Sequence, residues 1–294
     1  MPPNDPRRVA FRVSTDVTLA ADEWGDPAAM PVVFLHGGGQ TRHAWGGVAR
    51  AAADAGFRAI TLDHRGHGES DWSPDGDYRQ GVFVADVRAV VAQLAAPPVL
   101  VGASLGGIAA LMATGTEPAA PCRGLVLVDV TPRLEQRGVA RVLDFMRARP
   151  EGFASLDEAA DAIAAYNPHR ARPKDLAGLE KNLRLGADGR YRWHWDPALM
   201  RTWSPERHDA DEAHRMTEER IAAARGLRMP VLLVRGRASD VVSEEVAREF
   251  LALVPHASYA DLAAGHMVAG DRNDAFGRET LEFLRSVSRA EAAL

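Results

Sequence analysis

Four short runs, Val32 to Leu35, Ala59 to Leu62, Val99 to Val101 and Leu125 to Val128, apolar throughout but for Thr61, set the strongest limit on how this chain can fold. Runs of this length without polar alternation suit strands covered on both faces. Helix-length stretches separate the first three, near Trp45 to Ala55 and Val82 to Leu94, and a third follows Ser104. Strands and helices alternating in this way build a parallel sheet with helices on both sides. Val9 to Val13 and Val17 to Ala21, joined by a polar turn, predict an opening hairpin at a sheet edge.

The rhythm stops after Leu125 to Val128. From Thr131 to about Met229 there is no buried strand but several helix signals, among them a capping box at Ser155-Leu156-Asp157-Glu158 ahead of Ala159 to Tyr166 and a candidate helix from Pro205 to Arg225. Strands resume at Val231 to Val234 and Ser258 to Leu262, with helices near Glu244 to Leu253 and Ala275 to Val287. The expected organisation is an α/β core over residues 1–130 and 230–294, with a mainly helical cap over 131–229 that sits above the strand ends.

Composition narrows the partners. A net charge of -5 with dispersed Arg and Lys argues against nucleic acid. The N-terminal residues lack the apolar core of a secretory signal, no run is long enough for a membrane span, and Cys122 is the only cysteine. The expected setting is cytoplasmic, without membrane contact; the oligomeric state is open, a homodimer among the options.

Gly102-Ala103-Ser104-Leu105-Gly106 lies between the run Val99 to Val101 and the helix that follows. A serine on so tight a strand-to-helix turn projects its hydroxyl above the carboxyl end of a sheet. A serine hydroxyl needs a base to take its proton and an acid to orient that base. His266 follows the last strand by a short loop, and Asp240 follows Val231 to Val234 in the same way. Asp129, at the end of Leu125 to Val128, is the alternative acid. The order Ser104, Asp240, His266 is that of an α/β-hydrolase triad. Two backbone amides are expected to bind charge developing on a carbonyl oxygen: Leu105, after the serine, and Gly38, in His36-Gly37-Gly38-Gly39-Gln40.

The same glycine loop imitates a dinucleotide-binding turn but places Arg42 where the third glycine should stand. No phosphate-binding loop is present, and His64-Arg65-Gly66-His67 has no further ligands at metal spacing. No cofactor and no metal are expected.

Taken together, His36-Gly37-Gly38-Gly39, Asp63-His64-Arg65-Gly66-His67-Gly68-Glu69-Ser70, Gly102 to Gly107, Asp240 and Gly265-His266 resemble the α/β-hydrolase superfamily over nearly the whole chain. The resemblance implies a mostly parallel eight-stranded sheet with an antiparallel opening strand, helices on both faces and a helical cap after the sixth strand. Within the superfamily the chain is similar to proteins labelled epoxide hydrolase, haloperoxidase or meta-cleavage-product hydrolase. Ser104 stands where epoxide hydrolases carry a carboxylate, Gly38-Gly39 where haloperoxidases carry Trp-Pro, and Gln40 and Met267 where meta-cleavage hydrolases often carry Pro and Trp. The remaining expectation is a serine esterase or lactonase acting through an acyl-enzyme at Ser104. Carbon-carbon hydrolysis or perhydrolysis on the same triad, and a non-catalytic small-ligand receptor, are the alternatives.

Candidate substrate contacts are Gly39, Trp45, Met267 and the alternating aromatics Tyr191, Trp193 and Trp195. The aromatics follow an Asp-Gly turn, so they can share a face. Their plainer reading is packing of cap onto core; any that face the pocket imply a bulky apolar substrate, an ester or lactone. Trp45 is either helix packing or pocket wall.

Overall fold

The computed structural model describes residues 5–166, 172, 176–203, 209–268 and 274–292. In chain order the strands are β1 (Arg7–Arg12), β2 (Thr18–Trp24), β3 (Pro31–Leu35), β4 (Arg58–Leu62), β5 (Val99–Ala103), β6 (Gly124–Val128), β7 (Leu183–Leu185), β8 (Tyr191–Trp193), β9 (Val231–Gly236) and β10 (Ala257–Leu262). The helices are α1 (Gly46–Asp54), α2 (Gln80–Ala92), α3 (Leu105–Gly115), α4 (Gln136–Arg147), α5 (Leu156–Tyr166), α6 (Ala198–Thr202), α7 (Ala210–Gly226), α8 (Glu244–Leu253) and α9 (Asp274–Ala292).

Eight strands form one sheet in the order β1-β2-β4-β3-β5-β6-β9-β10. β2 is antiparallel to both β1 and β4, and the remaining pairs are parallel. The period of two along each strand sorts its side chains between two cores. Val33, Leu35, Leu100, Leu125, Leu127 and Leu233 face helices α2, α3, α7 and α8. Val32, Phe34, Val99, Val101, Val126 and Val234 face α1 and α9. Burial on both sides is why these strands read as unbroken apolar runs.

The crossover from β3 runs to β4 on one side, while that from its neighbour β5 runs to β6 on the other. Such a reversal opens a crevice outside the carboxyl ends of the strands. The loop after β3, the turn after β5 and the residue after β6 all emerge there.

The insertion after β6 is mainly helical, as expected, with one antiparallel ribbon, β7–β8. The capping box operates at α5: Glu158 donates its amide to Ser155 Oγ at 3.2 Å and its carboxylate accepts the Ala154 amide at 2.6 Å. α7 packs on α3 so closely that a methyl group on Gly115 would run into the Ala223 carbonyl. The start of the Pro205 to Arg225 helix lies outside the described residues; the described helix begins at Ala210, capped by Asp209 accepting the Glu212 amide at 2.8 Å.

Candidate active site

Ser104 sits between β5 and α3 with φ 46° and ψ −115°. A side chain in that region of backbone space carries strain of order 1–3 kcal/mol, which the surroundings must hold in place. Three glycines make the turn physically available. A methyl group on Gly102 would come within 2.6 Å of the Gly106 carbonyl and the Gly107 amide; one on Gly106 would run into the Leu35 carbonyl, and one on Gly107 into Val130.

The candidate base is already joined to a carboxylate. His266 Nδ1 lies 2.6 Å from Asp129 Oδ2, with the aspartate side chain fully buried and the imidazole 12% exposed. A carboxylate accepts only, so Nδ1 carries the proton and Nε2 keeps its lone pair. Asp129 Oδ1 accepts the Gly236 amide at 2.8 Å, and Oδ2 also accepts the Ser239 hydroxyl at 2.5 Å. Asp129 has φ 49°, so a second residue of the cluster holds a left-handed backbone.

The acid preferred from sequence stands elsewhere. Asp240 pairs with Arg141 of α4 at 2.6 Å, its side chain 37% exposed. Its backbone is pinned against Gly138, where a methyl group would run into the Asp240 carbonyl. It is Asp129, the alternative, that reaches His266. The residue of the β9–α8 loop that does touch the acid is Ser239, which sequence reasoning passed over.

Acceptors around the glycine loop select one of its amides. The Gly37 amide donates to Gln40 Oε1 at 2.9 Å, and the Gly39 amide to His67 Nε2 at 3.2 Å. Neither the Gly38 amide nor that of Leu105, at the first turn of α3, has a hydrogen-bond partner among the described residues. Gly37 sits beside the serine: a methyl group on it would stand 3.3 Å from Ser104 Cβ. His36 Nδ1 donates to the Gly37 carbonyl at 2.8 Å, and the His36 carbonyl accepts the Gly106 amide at 3.2 Å, so loop and elbow are tied together.

Three imidazoles underlie the loop. His36 meets His64 and His67 edge-on, with centroids 4.7 and 5.0 Å apart. Burial pushes His36 down to about 4 and His67 to about 3, the latter also through its neighbour His36. Burial drives His64 well below its ordinary value. All three are neutral at pH 7, which lets His67 Nε2 act as an acceptor while its Nδ1 donates to the Arg65 carbonyl at 3.0 Å. Arg42 is fully buried; its guanidinium binds Asp63 and Glu69, and its amide donates to Asp63 Oδ1 at 2.6 Å. The residue that spoils the dinucleotide pattern anchors the end of this loop.

Cap side chains close over the glycines. A methyl group on Gly38 would lie 3.2 Å from Trp203, and one on Gly39 3.2 Å from Met146 and 3.3 Å from Trp195. Trp193 and Trp195 stack with centroids 5.0 Å apart and planes 9° apart. Trp195 faces the loop. Trp193 turns towards Phe145 and Phe153 and walls a cavity of about 260 Å³ between α4 and α5, which contains no residue of the Ser104 cluster. Tyr191 pairs by its backbone with Phe153 within the cap. Trp45 is fully buried between Phe34 and Phe276, on the α1 and α9 side of the sheet, so its role is packing. Met267 meets Gln40, whose Nε2 is 3.4 Å from its sulfur. Met146 and Trp203 lacked a sequence signal, since single apolar residues on cap helices do not declare which way they point.

Among the described residues, no helix is long and apolar enough to cross a membrane. The sequence profile of a family described by the alpha/beta hydrolase fold matches residues 30–272. An esterase of Mycobacterium tuberculosis is 30% identical over 281 residues, covering 92% of this chain and 86% of the relative. A 3-hydroxybutyrate-oligomer hydrolase of Cupriavidus necator is 32% identical over 263 residues, covering 84% and 86%. The crystal structure of an E-2-(acetamidomethylene)succinate hydrolase superposes with a TM-score of 0.82 at 22% identity, covering 95% of this chain and 99% of the other.

Proposed function

The chain belongs to the α/β-hydrolase fold family, and on that premise we propose that it is a serine hydrolase of small carboxylic esters, in which Ser104 attacks the carbonyl carbon and carries the acyl group. Asp129 holds the proton of His266 on Nδ1, so Nε2 takes the Ser104 proton during attack and returns it to the leaving alcohol. The Gly38 and Leu105 amides bind the oxyanion, where one such donor is worth about 10²–10³ in turnover. Water, activated by the same imidazole, releases the acid.

The observation that carries this reading is the convergence, at the ends of β3, β5 and β6, of a strained serine, two amides with no partner among the described residues and an imidazole fixed by a buried carboxylate. Relatives named as an esterase and as a 3-hydroxybutyrate-oligomer hydrolase support hydrolysis of esters. Trp195, Trp203 and Met146 against the glycine loop favour an apolar acyl or alcohol group, lactones included. Reaction with a fluorophosphonate followed by peptide mass spectrometry is expected to label Ser104. An unlabelled Ser104 in folded protein overturns the proposal.

A further inference from the structure

The β9–α8 loop reaches the Ser104 cluster through one hydroxyl. Ser239 Oγ lies 2.5 Å from Asp129 Oδ2, while the amides of Val241 and Val242 donate to that same Oγ at 3.1 and 3.2 Å. A hydroxyl has one proton and two lone pairs. Both lone pairs are taken by amides, so the proton has a single destination, the carboxylate. Ser239 is not needed as the cap of α8: Ser243 holds that position and accepts the Val246 amide at 3.2 Å.

We infer that Ser239 is a positioning residue for the hydrolase reaction, holding the buried carboxylate of Asp129 in the orientation in which it fixes His266. The inference rests on the proposed roles of Ser104, His266 and Asp129. Asp129 is fully enclosed, and the Gly236 amide, the Ser239 hydroxyl and His266 Nδ1–H replace the water it has lost. Ser239 and His266 donate to one oxygen and compete for its electron density. Without the hydroxyl, Oδ2 binds Nδ1–H more strongly and favours the protonated imidazole. Besides the imidazole it has to orient, the carboxylate then keeps the Gly236 amide as its one donor among the described residues, and turnover falls. The charged groups around this loop are paired among themselves: Asp240 with Arg141 of α4, and Arg235 and Arg237 with Asp261 of β10. Substitution of Ser239 leaves those pairs intact.

The test compares Ser239→Ala, Ser239→Thr and Ser239→Cys as full-length proteins, measuring kcat and kcat/KM for a p-nitrophenyl ester across about pH 5 to 9. Ser239→Ala is expected to lower kcat about tenfold with little change in KM and to raise the acid limb of kcat/KM by about half a pH unit. Ser239→Thr, which keeps the donor, restores both. Should Ser239→Ala not fold, Ser239→Cys makes the same comparison, because a thiol is a weak donor of similar place. An acid limb that overlays the wild type overturns the inference, whatever happens to thermal stability. Fluorophosphonate labelling of wild-type Ser104 separates the two failures: a labelled serine with an unmoved limb sinks only the role of Ser239, and an unlabelled serine sinks the hydrolase reading.

Discussion

Replacing Asp129 by Asn keeps volume and shape and changes only charge and donor pattern, so the surroundings decide its effect. Gly236 donates its amide to Oδ1 at 2.8 Å, and an Asn must therefore present its carbonyl oxygen on that side. Its NH₂ group then replaces Oδ2, facing His266 Nδ1 at 2.6 Å. Ser239, whose lone pairs accept the Val241 and Val242 amides, loses the acceptor for its proton, and His266 can meet an N–H donor only with an unprotonated Nδ1. The proton moves to Nε2, where the lone pair for Ser104 should be. This tautomer exchange lowers turnover by about 10⁴-fold in serine hydrolases, or about 5 kcal/mol of barrier. Asp240→Asn removes only a partly exposed ion pair with Arg141, worth about 0.2–1 kcal/mol of stability, and leaves kcat within about twofold. Steady-state kinetics of both variants with one p-nitrophenyl ester decides the matter. If Asp240→Asn is the more damaging, the reasoning is refuted.

His64 has both ring nitrogens buried without a hydrogen-bond partner among the described residues. His64→Phe should leave stability unchanged or raise it at pH 7. Because the folded-state value is depressed, the unfolded chain binds this proton first as pH falls below about 6.5, and stability declines by about 1.4 kcal/mol per pH unit from this residue alone. Urea unfolding at pH 7 and pH 5 should show a shallower acid loss in the variant; an identical loss would count against it. Gln40→Met frees the Gly37 amide to compete with that of Gly38 and unties Met267, and a kcat reduced about tenfold with KM little changed is expected from steady-state kinetics. Gly106→Ala drives a methyl group into the Leu35 carbonyl, so soluble yield and thermal midpoint should both collapse.

Much of the core was legible because periodicity reports burial directly. Apolar runs such as Leu125 to Val128 have helices on both faces, so no polar alternation interrupts them. Ser104 and the glycines around it were legible because a turn of this geometry tolerates few other residues. The cap was less so. Trp193 and Trp195 are two residues apart and were expected on one face, and they do stack, yet Trp195 lies over the glycine loop while Trp193 packs on Phe145 and Phe153. Trp45 looked as suited to a pocket as to a core, and only its contacts with Phe34 and Phe276 decide between them.

The amino-acid sequence by itself determined the order of strands and helices, the tight turn at Ser104 and a histidine beyond the last strand, because each is a local pattern read within a few residues. It offered two aspartates, Asp240 in preference to Asp129, both following core strands and both between Ser104 and His266. Tertiary structure decided which of them meets His266. The left-handed backbone of Asp129 and the Gly236 amide aim its carboxylate at His266, while Arg141, 99 residues before Asp240, draws the other carboxylate to the cap. Which oxygen meets which nitrogen depends on partners distant in the chain, and no local pattern carries that information.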